Sequence, residues 1–471
     1  MKNIILLFFL MAAITCQATV SLDSCRNMAL RNNKLIRMAH ENREGAALLK
    51  ESAKAAYLPG IDFTGTYFYN QRIINLLGED AKLPTMSFDP KTMSYQYNLV
   101  KGPDGMPVKD PATGSYIPSE VAVIPKEAMS YDIHNVFAGA FTLTQPVYMG
   151  GQIRALNEIA GYSEKMASAM TDKLSQDIVY SVDEAYWTVV SLKEKRLLAQ
   201  SFVNLTDSLR RNVQYMVEEG VATKSDLLSV EVRVNEAKIA LVKVENGLTL
   251  SKMALSQLCG LPADTDMELE DEQLHDMKTT VPDYTLQQVY ARRSDLEVVR
   301  QTINMLQGKE KLTLSEMMPK IAVVGMYSFS NPNVINGFKR SFGGGFSIGA
   351  ALTVPIWHWG GDYKRYKAAH SNTTAQRLLL EDLEEKVNLQ VSQARFSLEE
   401  SEKTYQMSLT NMKKAEENLY QAQMAFREGV MTTSDVLAAQ TAWLAANSEK
   451  IDSEIGVRLA RTYLAKVLGN L

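Results

Sequence analysis

The sequence predicts a mainly α-helical protein with a β part, built from one helix-strand-strand-helix unit that occurs twice. Three observations predict this fold class: an internal repeat, two very long stretches without Gly or Pro, and four short segments of alternating apolar residues. The chain of 471 residues is 46% hydrophobic and 22% charged, which argues against disorder and against a disulfide scaffold. The net charge of -4 offers no basic surface, so we expect no nucleic-acid partner.

The internal repeat is clearest at two tight turns and at two strand ends. A Glu-Gly-Val-x-Thr-x-Ser-Asp segment and a Leu-Thr-x-Pro segment each recur at an offset of 209 residues, and Gly-Gly soon follows each Leu-Thr-x-Pro. The first strand of each half aligns at an offset of 260 instead, because the first half carries an insertion between its strands. The chain is therefore a duplication, with repeats at 19–262 and 263–471. The matching segments are 219–228 with 428–437, 143–146 with 352–355, and 150–151 with 360–361.

Two stretches without a helix breaker predict unusually long helices. Residues 362–428 contain neither Gly nor Pro, and at 1.5 Å per residue they would span roughly 100 Å. Residues 162–219 form a second such stretch, and apolar residues recur along both at alternate steps of four and three, which indicates a coiled-coil seam. Each long helix is followed by a shorter one, so we expect antiparallel hairpins over about 150–259 and 361–468.

A further helix is predicted at the start of each half, over about 22–57 and 283–318. The returning helix of each hairpin is too short to run beside the whole of the long helix. One returning helix and one leading helix placed end to end would together be about as long as the long helix. We therefore expect each half to be one long rod beside two shorter rods placed end to end.

A glycine follows each long helix, and hydroxyl residues come soon after it. Glycine is the commonest residue just past a helix C-terminus, because the left-handed conformation costs it little. Ser and Thr are favoured as N-caps, so a turn of a few residues is predicted at each hairpin tip. The residues concerned are Gly220, with Thr223 or Ser225 as the N-cap, and Gly429, with Thr432 or Ser434 as the N-cap.

Four segments show the two-residue period of a strand with one apolar face. Residues such as Phe63, Phe141, Tyr327 and Ile348 alternate with small or polar ones. This pattern fits the wall of a transmembrane β-barrel with a watery lumen, and it also fits a soluble sheet packed on helices. Four strands cannot close a barrel, since small barrels need about eight, so several chains would have to contribute. The strands are predicted at about 60–72, 133–148, 319–330 and 341–358.

Two further features lie beside these strands. Residues 73–132 hold seven of the 14 prolines, which predicts a long surface loop with little regular structure. Trp357-His358-Trp359 lies where the fourth strand gives way to a helix. Such a cluster fits an aromatic girdle at a membrane interface, and it also fits ordinary packing at a strand-helix junction.

The N-terminus resembles an export signal. A positive residue precedes a short uncharged apolar run that is not long enough to span a membrane as a helix. We therefore expect residues 1–18 to be a signal peptide. The alternative is that Cys16 becomes a lipid-modified N-terminus, although the residues before it fit a lipobox poorly.

The other two cysteines, Cys25 and Cys259, are far apart in the sequence. They could pair only if the fold happened to bring them together. We expect two buried thiols, because cysteine commonly serves as a small apolar core residue.

Taken in order, these motifs resemble the TolC family of outer-membrane efflux channels, over nearly the whole mature chain. The motifs are Leu58-Pro59 and Met318-Pro319 before a strand, Leu-Thr-x-Pro before Gly-Gly, and Glu-Gly-x(5)-Asp at each helix turn. The resemblance implies a homotrimer, in which three chains give twelve strands to one barrel and long hairpins form a coiled-coil tunnel across the periplasm. Its partners would be outer-membrane lipid, a periplasmic adaptor (membrane fusion) protein and an inner-membrane pump. Its location would be the bacterial outer membrane, extending into the periplasm.

The resemblance also implies site residues. The helix turns would be the tips that the adaptor contacts. Asp435 would belong to one of two aspartate rings at the periplasmic aperture. The second ring would fall at Ala438 and is therefore absent. Asp226 fits the acid of a polar lock between hairpins, but Met431 and Phe426 stand where the family has Arg and Tyr, so gating would differ. Judged without the resemblance, both aspartates could also be first-turn acids that favour helix starts. The tip residues are Gly220, Val221, Gly429 and Val430, and the strand-helix junctions are Pro146, Gly150, Gly151, Pro355, Gly360 and Gly361.

The predicted function is a passive exit duct of a tripartite efflux or type I secretion system. The alternative is a non-conducting coiled-coil structural or adhesive protein of the envelope. An enzyme is not expected: the Gly-x-Ser-x-Gly segment at 345–349 lies inside an alternating strand, whereas a hydrolase nucleophile needs a strand, a sharp turn and a helix. The histidines lack metal-ligand spacing and no nucleotide-binding motif occurs, so neither a metal nor a cofactor is expected.

Overall fold

The protein is described here by a computed structural model that covers residues 19–270 and 284–471, and the predicted signal peptide at 1–18 lies outside them. The described chain divides into a helical unit and a unit that contains the strands. The helices are α1 (Leu22–Asn32), α2 (Lys34–Ala55), α3 (Gln152–Glu218), α4 (Lys224–Leu258), α5 (Leu286–Arg292), α6 (Ser294–Ser315), α7 (Gly361–Arg427) and α8 (Thr433–Val467). None of the helices in the described ranges has the length and hydrophobicity that crossing a membrane would require.

Both leading helices are interrupted, which corrects the prediction of continuous helices. The first breaks at Asn33 and the second at Arg293, and both residues have extended backbone. Asn33 Nδ2 donates a hydrogen bond to the carbonyl of Leu258, and Arg293 Nη1 donates one to the carbonyl of Val467. Each break therefore supplies a donor to the end of the returning helix. Neither Asn nor Arg is a strong helix breaker, so the sequence pattern did not reveal the interruption.

The returning helices end against these breaks. Gly260 and Gly469 have φ values of 74° and 73°. A Cβ on Gly260 would lie 2.7 Å from atoms of Asn32, and one on Gly469 would lie 2.9 Å from Arg292. Only glycine fits both the left-handed backbone and this close approach. α4 therefore ends at the break between α1 and α2, and α8 ends at the break between α5 and α6. α1 and α5 pack beside the ends of the returning helices, so only α2 and α6 can lie end to end with them, whereas the helix lengths predicted this for the whole of each leading helix.

The core of the helical unit lies along the predicted coiled-coil seams. In the first half, α1 and the end of α4 pack against the middle of α3 around Tyr186 and Val182. In the second half, α5, α6 and α8 pack against α7 around Val391 and Leu398. The polar seam position Ser408 hydrogen-bonds Ser453 of α8 at 2.7 Å. The buried residues of α7 that follow the alternate steps of four and three are Val387, Val391, Ala394, Leu398, Ser408, Leu419, Ala422 and Phe426.

The second unit is built on one antiparallel sheet of four strands. Its strand order is β1-β8-β9-β10. Every neighbouring pair is antiparallel, and Phe63 of β1 lies opposite Phe141 of β8. The outer edges of β1 and β10 carry no further strand within the described residues. The strands of this sheet are β1 (Gly60–Tyr69), β8 (Asn135–Tyr148), β9 (Lys320–Asn331) and β10 (Gly343–Thr353).

The long insertion after β1 is more ordered than predicted. It folds into three short two-stranded ladders, β2 with β7, β3 with β6 and β4 with β5. Strands of two to four residues do not show a recognisable two-residue period. The abundant prolines hid them as well, since proline is unusual inside strands. These strands are β2 (Ile74–Asn75), β3 (Ala81–Pro84), β4 (Met86–Asp89), β5 (Ser94–Tyr97), β6 (Val121–Ile124) and β7 (Ser130–Tyr131).

Candidate functional site

Each hairpin tip is a turn centred on a glycine, and the two turns are built alike. Gly220 has a φ of 75° and Gly429 a φ of 70°, a region that a Cβ disfavours. The N–H of Val221 donates to the carbonyl of Met216 at 2.8 Å, and the N–H of Gly220 donates to Val217 at 3.1 Å. This Schellman motif satisfies the last carbonyls of α3. The corresponding bonds at the second tip measure 2.9 and 3.0 Å.

Each returning helix starts with a capping box. Thr223 Oγ1 accepts from the Asp226 N–H at 3.2 Å, and Asp226 Oδ2 accepts from the Thr223 N–H at 3.0 Å and from its hydroxyl at 2.6 Å. Thr432 and Asp435 repeat these contacts at 3.3, 3.0 and 2.7 Å. The threonine hydroxyl and the backbone N–H hold the pKa of both carboxyls below its ordinary value. Both aspartates therefore have the helix-start role, and the threonines rather than the serines are the N-caps.

The tips also present side chains outward. Val221 is 73% exposed and Val430 is 80% exposed. Asp435 is exposed as well, whereas Asp226 is half-buried. The backbone of each tip is fixed by its own hydrogen bonds, so these side chains are held on a preformed turn.

The two hairpins of the chain contact each other near their tips through apolar packing. Phe426, at the end of α7, is 7% exposed and belongs to one cluster with Val213 and Val230 of the first hairpin. Further along, Arg233 Nη2 donates a hydrogen bond to Thr441 Oγ1. Phe426 stands at one of the positions where the family resemblance implies a polar lock, so apolar packing is found there instead. The sequence showed that the lock residues differ, but it did not show what replaces them.

The sheet has two chemically different faces. The register brings the four alternating apolar patterns onto one face: Phe63 lies opposite Phe141, Phe141 opposite Tyr327, and Tyr327 opposite Phe346. The rings of Phe63 and Phe141 are 4.9 Å apart. The other face carries mostly small and hydroxyl side chains, with Asp62, Phe68, Val324 and Met326 among them. Its members include Thr64, Thr66, Ala138, Ala140, Thr142, Ser328, Ser347 and Ala351.

The loop between β9 and β10 folds over the small and polar face, which the sequence did not reveal. Its residues Val334 and Ile335 line a groove of about 280 Å³ together with strand residues of that face. Ile335 lies so close to β10 that a Cβ on Gly345 would be 3.2 Å from its Cδ1. At the far side of the loop, the ring of Phe338 lies 4.9 Å from that of Tyr131. The loop is thus anchored, and it narrows the space above the polar face.

The strand-helix junctions use left-handed residues. Gly150 and Gly151 have φ values of 64° and 89° before α3. Before α7 the two left-handed positions are Trp359, with a φ of 54°, and Gly360, with a φ of 74°. Gly361 is already the first residue of the helix. The expected match of the two Gly-Gly pairs is therefore off by one residue, and Gly150 corresponds to Trp359 at the offset of 209.

The prolines at these junctions act differently in the two halves. Pro146 lies within β8, next to a shift in its register with β9. Pro355 lies beyond β10, which ends at Thr353. A proline has no N–H for a sheet ladder, so Pro146 accompanies an irregularity in β8 and Pro355 comes after β10 has ended. The predicted strand at 341–358 was therefore too long at its C-terminal end. It was also too long at its N-terminal end, where the preceding loop continues to residue 342.

The aromatic cluster after β10 is exposed. Trp357 is 70% and Trp359 is 89% exposed. Both indoles are therefore largely uncovered within the single chain, and the aromatic girdle and packing at the junction both stay predictions.

The sequence and the fold are similar to those of known proteins. The sequence model of the family described as outer membrane efflux protein matches residues 124–261 and 285–470, more than half of the chain. No curated protein sequence matches.

Several solved structures have the same fold at low sequence identity. The outer-membrane channel OprN aligns at a TM-score of 0.74 with 13% identity, over 96% of this chain and 90% of that one. The CmeC outer membrane channel of Campylobacter jejuni aligns at 0.71 with 14% identity, over 95% and 85%. The MtrE outer membrane channel of Neisseria gonorrhoeae, in an open state, aligns at 0.72 with 16% identity, over 95% and 88%. The duplicated helical fold with its four-stranded sheet is thereby confirmed, and the chain belongs to the outer membrane efflux protein family.

Proposed function

We propose that the chain forms a homotrimeric channel-tunnel of the outer membrane that extends into the periplasm. It would serve as the passive exit duct of a tripartite efflux or type I secretion system. The observation that carries the proposal is the sheet, which has one apolar face, one small and polar face, and two edges with no further strand among the described residues.

The sheet edges are the reason for an oligomer. Unpaired backbone groups cannot be exposed to lipid, so a sheet spans a membrane only when it is closed. One chain supplies four strands, which is too few for closure. Three chains supply twelve, and β10 of one chain would pair with β1 of the next. The aromatic face would then meet lipid and the small, polar face would line the lumen.

The tips are the proposed docking surface for a periplasmic adaptor. The exposed valines and the two Schellman turns give each chain a pair of nearly identical, rigid contact points. An adaptor with its own repeated hairpins could occupy both. The inner-membrane pump would be the third component and would supply the energy, because the channel itself offers only a path.

Asp435 is the proposed acid at the periplasmic aperture. In the single chain its pKa is lowered by Thr432. Three such carboxylates around one axis would repel one another, and this repulsion would either attract counter-cations or raise the pKa of the carboxyls. We expect replacement of Asp435 by Ala to weaken the response of single-channel current to divalent ions, compared with wild type. An unchanged response in the Asp435 variant would contradict the aperture role.

A bilayer experiment separates the channel from the alternative, a non-conducting envelope protein. Protein purified from outer membranes is characterised by native mass spectrometry and then reconstituted into a planar bilayer. The proposal predicts a trimer with steady single-channel current. A monomer, or a trimer without current, would favour the structural or adhesive role.

A further inference from the structure

Two cysteines that are distant in the sequence lie together in the helical unit. Cys25 is in the first turns of α1, and Cys259 is the C-cap of α4. Both are fully buried. Cys259 Sγ donates to the backbone carbonyl of Cys25 at 3.7 Å. The fold therefore brings together two thiols that are 234 residues apart.

The surroundings hold the two thiols in place. Arg26, next to Cys25, donates through Nε and Nη2 to the two carboxylate oxygens of Asp183, at 2.7 and 2.6 Å, and this fastens α1 to α3. On the other side, the Asn33 side chain holds the carbonyl of Leu258. Both cysteines thus sit on backbone that is tied to the same core.

We propose that Cys25 and Cys259 form an intramolecular disulfide in the mature protein. The inference rests on the proposed function in one respect, because the helical unit must lie in the oxidising periplasm. Neighbouring thiols in that compartment meet protein disulfides that accept their electrons. The cross-link would tie the first leading helix to the end of the first returning helix.

The chemistry is a thiol–disulfide exchange with a periplasmic oxidoreductase that carries a protein disulfide. The Cys259 thiolate attacks one sulfur of that disulfide, which forms a mixed disulfide and releases the other sulfur as a thiolate. The Cys25 sulfur, after losing its proton, then attacks Cys259 Sγ and expels the reduced oxidoreductase. The two protons leave with the two thiolates of the oxidoreductase. Since both side chains are buried once the chain is folded, the exchange takes place before α1 is packed.

The order of attack is interchangeable. Because the exchange precedes the packing of α1, the contact between the two thiols in the folded chain does not select the first nucleophile, and the steps are the same with Cys25 and Cys259 exchanged.

The second half of the chain provides an internal comparison. At the same offsets, its residues are Thr285 and Leu468. Thr285 is the exposed N-cap of α5, and Leu468 is buried in the second core. The second half therefore has no pair of buried side chains at these two positions, and the neighbouring thiols belong to the first half alone.

Peptide mapping of the natural protein tests the proposal without any variant. Cells are lysed in N-ethylmaleimide together with a denaturant that exposes both buried side chains, the outer-membrane protein is digested without reductant, and peptides are identified by mass spectrometry. The expected result is one linked peptide pair that contains Cys25 and Cys259, lighter by two hydrogen atoms than the two reduced peptides together. Recovery of both cysteines as maleimide adducts would overturn the proposal.

Variants and current measurements complete the test. Cys25→Ala, Cys259→Ala and the double variant should lower the unfolding midpoint by the same amount, because each removes the same cross-link. If the decrease in the unfolding midpoint of the double variant equals the sum of the decreases of the two single variants, the two cysteines are independently packed thiols and the disulfide is overturned. Wild-type protein from the same cells, purified without denaturant, is placed in a bilayer: a conducting protein whose mapped thiols are both alkylated refutes only the disulfide, and a cross-linked protein without current refutes only the channel.

Discussion

The two halves of the chain have the same backbone plan but differ in the chemistry placed on it. Both hairpin tips have a left-handed glycine, a Schellman turn and a Thr-Asp capping box. Both leading helices break opposite the end of the returning helix, and both breaks are met by a glycine. The glycines, threonines and aspartates that both halves share stand at positions where the backbone geometry permits few other residue types.

The halves differ where side chains meet other groups. The first half has a long insertion with three small ladders, whereas the second has a short loop folded on the polar face of the sheet. Phe426 of the second half packs into the first hairpin, and its counterpart Val217 is only partly buried. The duplication thus kept the turns and caps and let the contacts diverge.

The largest predicted effect concerns the sheet, where both halves share one face. Phe63→Lys in the first half and Ile348→Lys in the second should each prevent assembly in the outer membrane, because a lysine on the lipid face costs about 2–4 kcal/mol near the bilayer midplane. Thr64→Lys and Ser347→Lys, on the other face, should assemble. The measurement is the amount of trimer in outer-membrane fractions. Equal loss in all four variants would contradict the assignment of the faces.

The next prediction tests the difference between the tips. Phe426→Ala should destabilise the contact between hairpins by about 3–5 kcal/mol, since it empties a buried aromatic site. Val217→Ala, at the equivalent position, should cost roughly 1 kcal/mol, because that side chain is only partly buried. Chemical unfolding compares the two, and limited proteolysis shows whether the tips separate. Equal losses would mean that the tips are alike in packing as well as in backbone.

The glycines test the similarity of the tips. Gly220→Ala and Gly429→Ala should each cost roughly 1–2 kcal/mol, because alanine is strained in the left-handed conformation. The two losses should agree. Gly456→Ala is the matched control: Gly456 lies inside α8 with nothing near a Cβ, so alanine should stabilise that helix. A harmless change at either tip would contradict the observed turn.

The smallest effect is the pH dependence of the capping boxes. The pKa of Asp226 and of Asp435 is lower in the folded chain than its ordinary value. Each box therefore contributes stability above the ordinary aspartate pKa and loses it as the pH falls through the lowered one. Proteolysis of the tips by an acid-active protease should rise in that range equally in both halves. The Asn variant of either aspartate should remove the pH dependence at its own tip only.

The features fixed by local chemistry could be predicted from the sequence. The seam of α7, the tip glycines and the alternating strands follow from spacing and from residue type. The interruptions at Asn33 and Arg293 could not be predicted, because they depend on carbonyls that a distant helix presents. The left-handed Trp359 was missed for a related reason, since a neighbouring Gly-Gly pair offered a more obvious match.

At the candidate site, the sequence identified which residues matter but not what each of them does. It identified Asp226 and Asp435, and the structure shows that each completes a capping box at the start of its helix. The proximity of Cys25 and Cys259 depends on how α1 packs against the end of α4, 234 residues away in the chain. The position of Ile335 over the polar face likewise depends on how a loop folds back. Neither contact leaves a periodic signal.

The most direct test of the proposed channel is chemical block of the lumen. Ser347→Cys and Ile348→Cys proteins are reconstituted in planar bilayers and treated with a charged methanethiosulfonate reagent, and unmodified wild type is the control. The account predicts that current through the Ser347→Cys channel falls in three steps, one for each chain of a trimer, while Ile348→Cys and wild type keep their current. Unchanged current in Ser347→Cys, or equal block of both variants, would contradict a trimeric channel lined by this face.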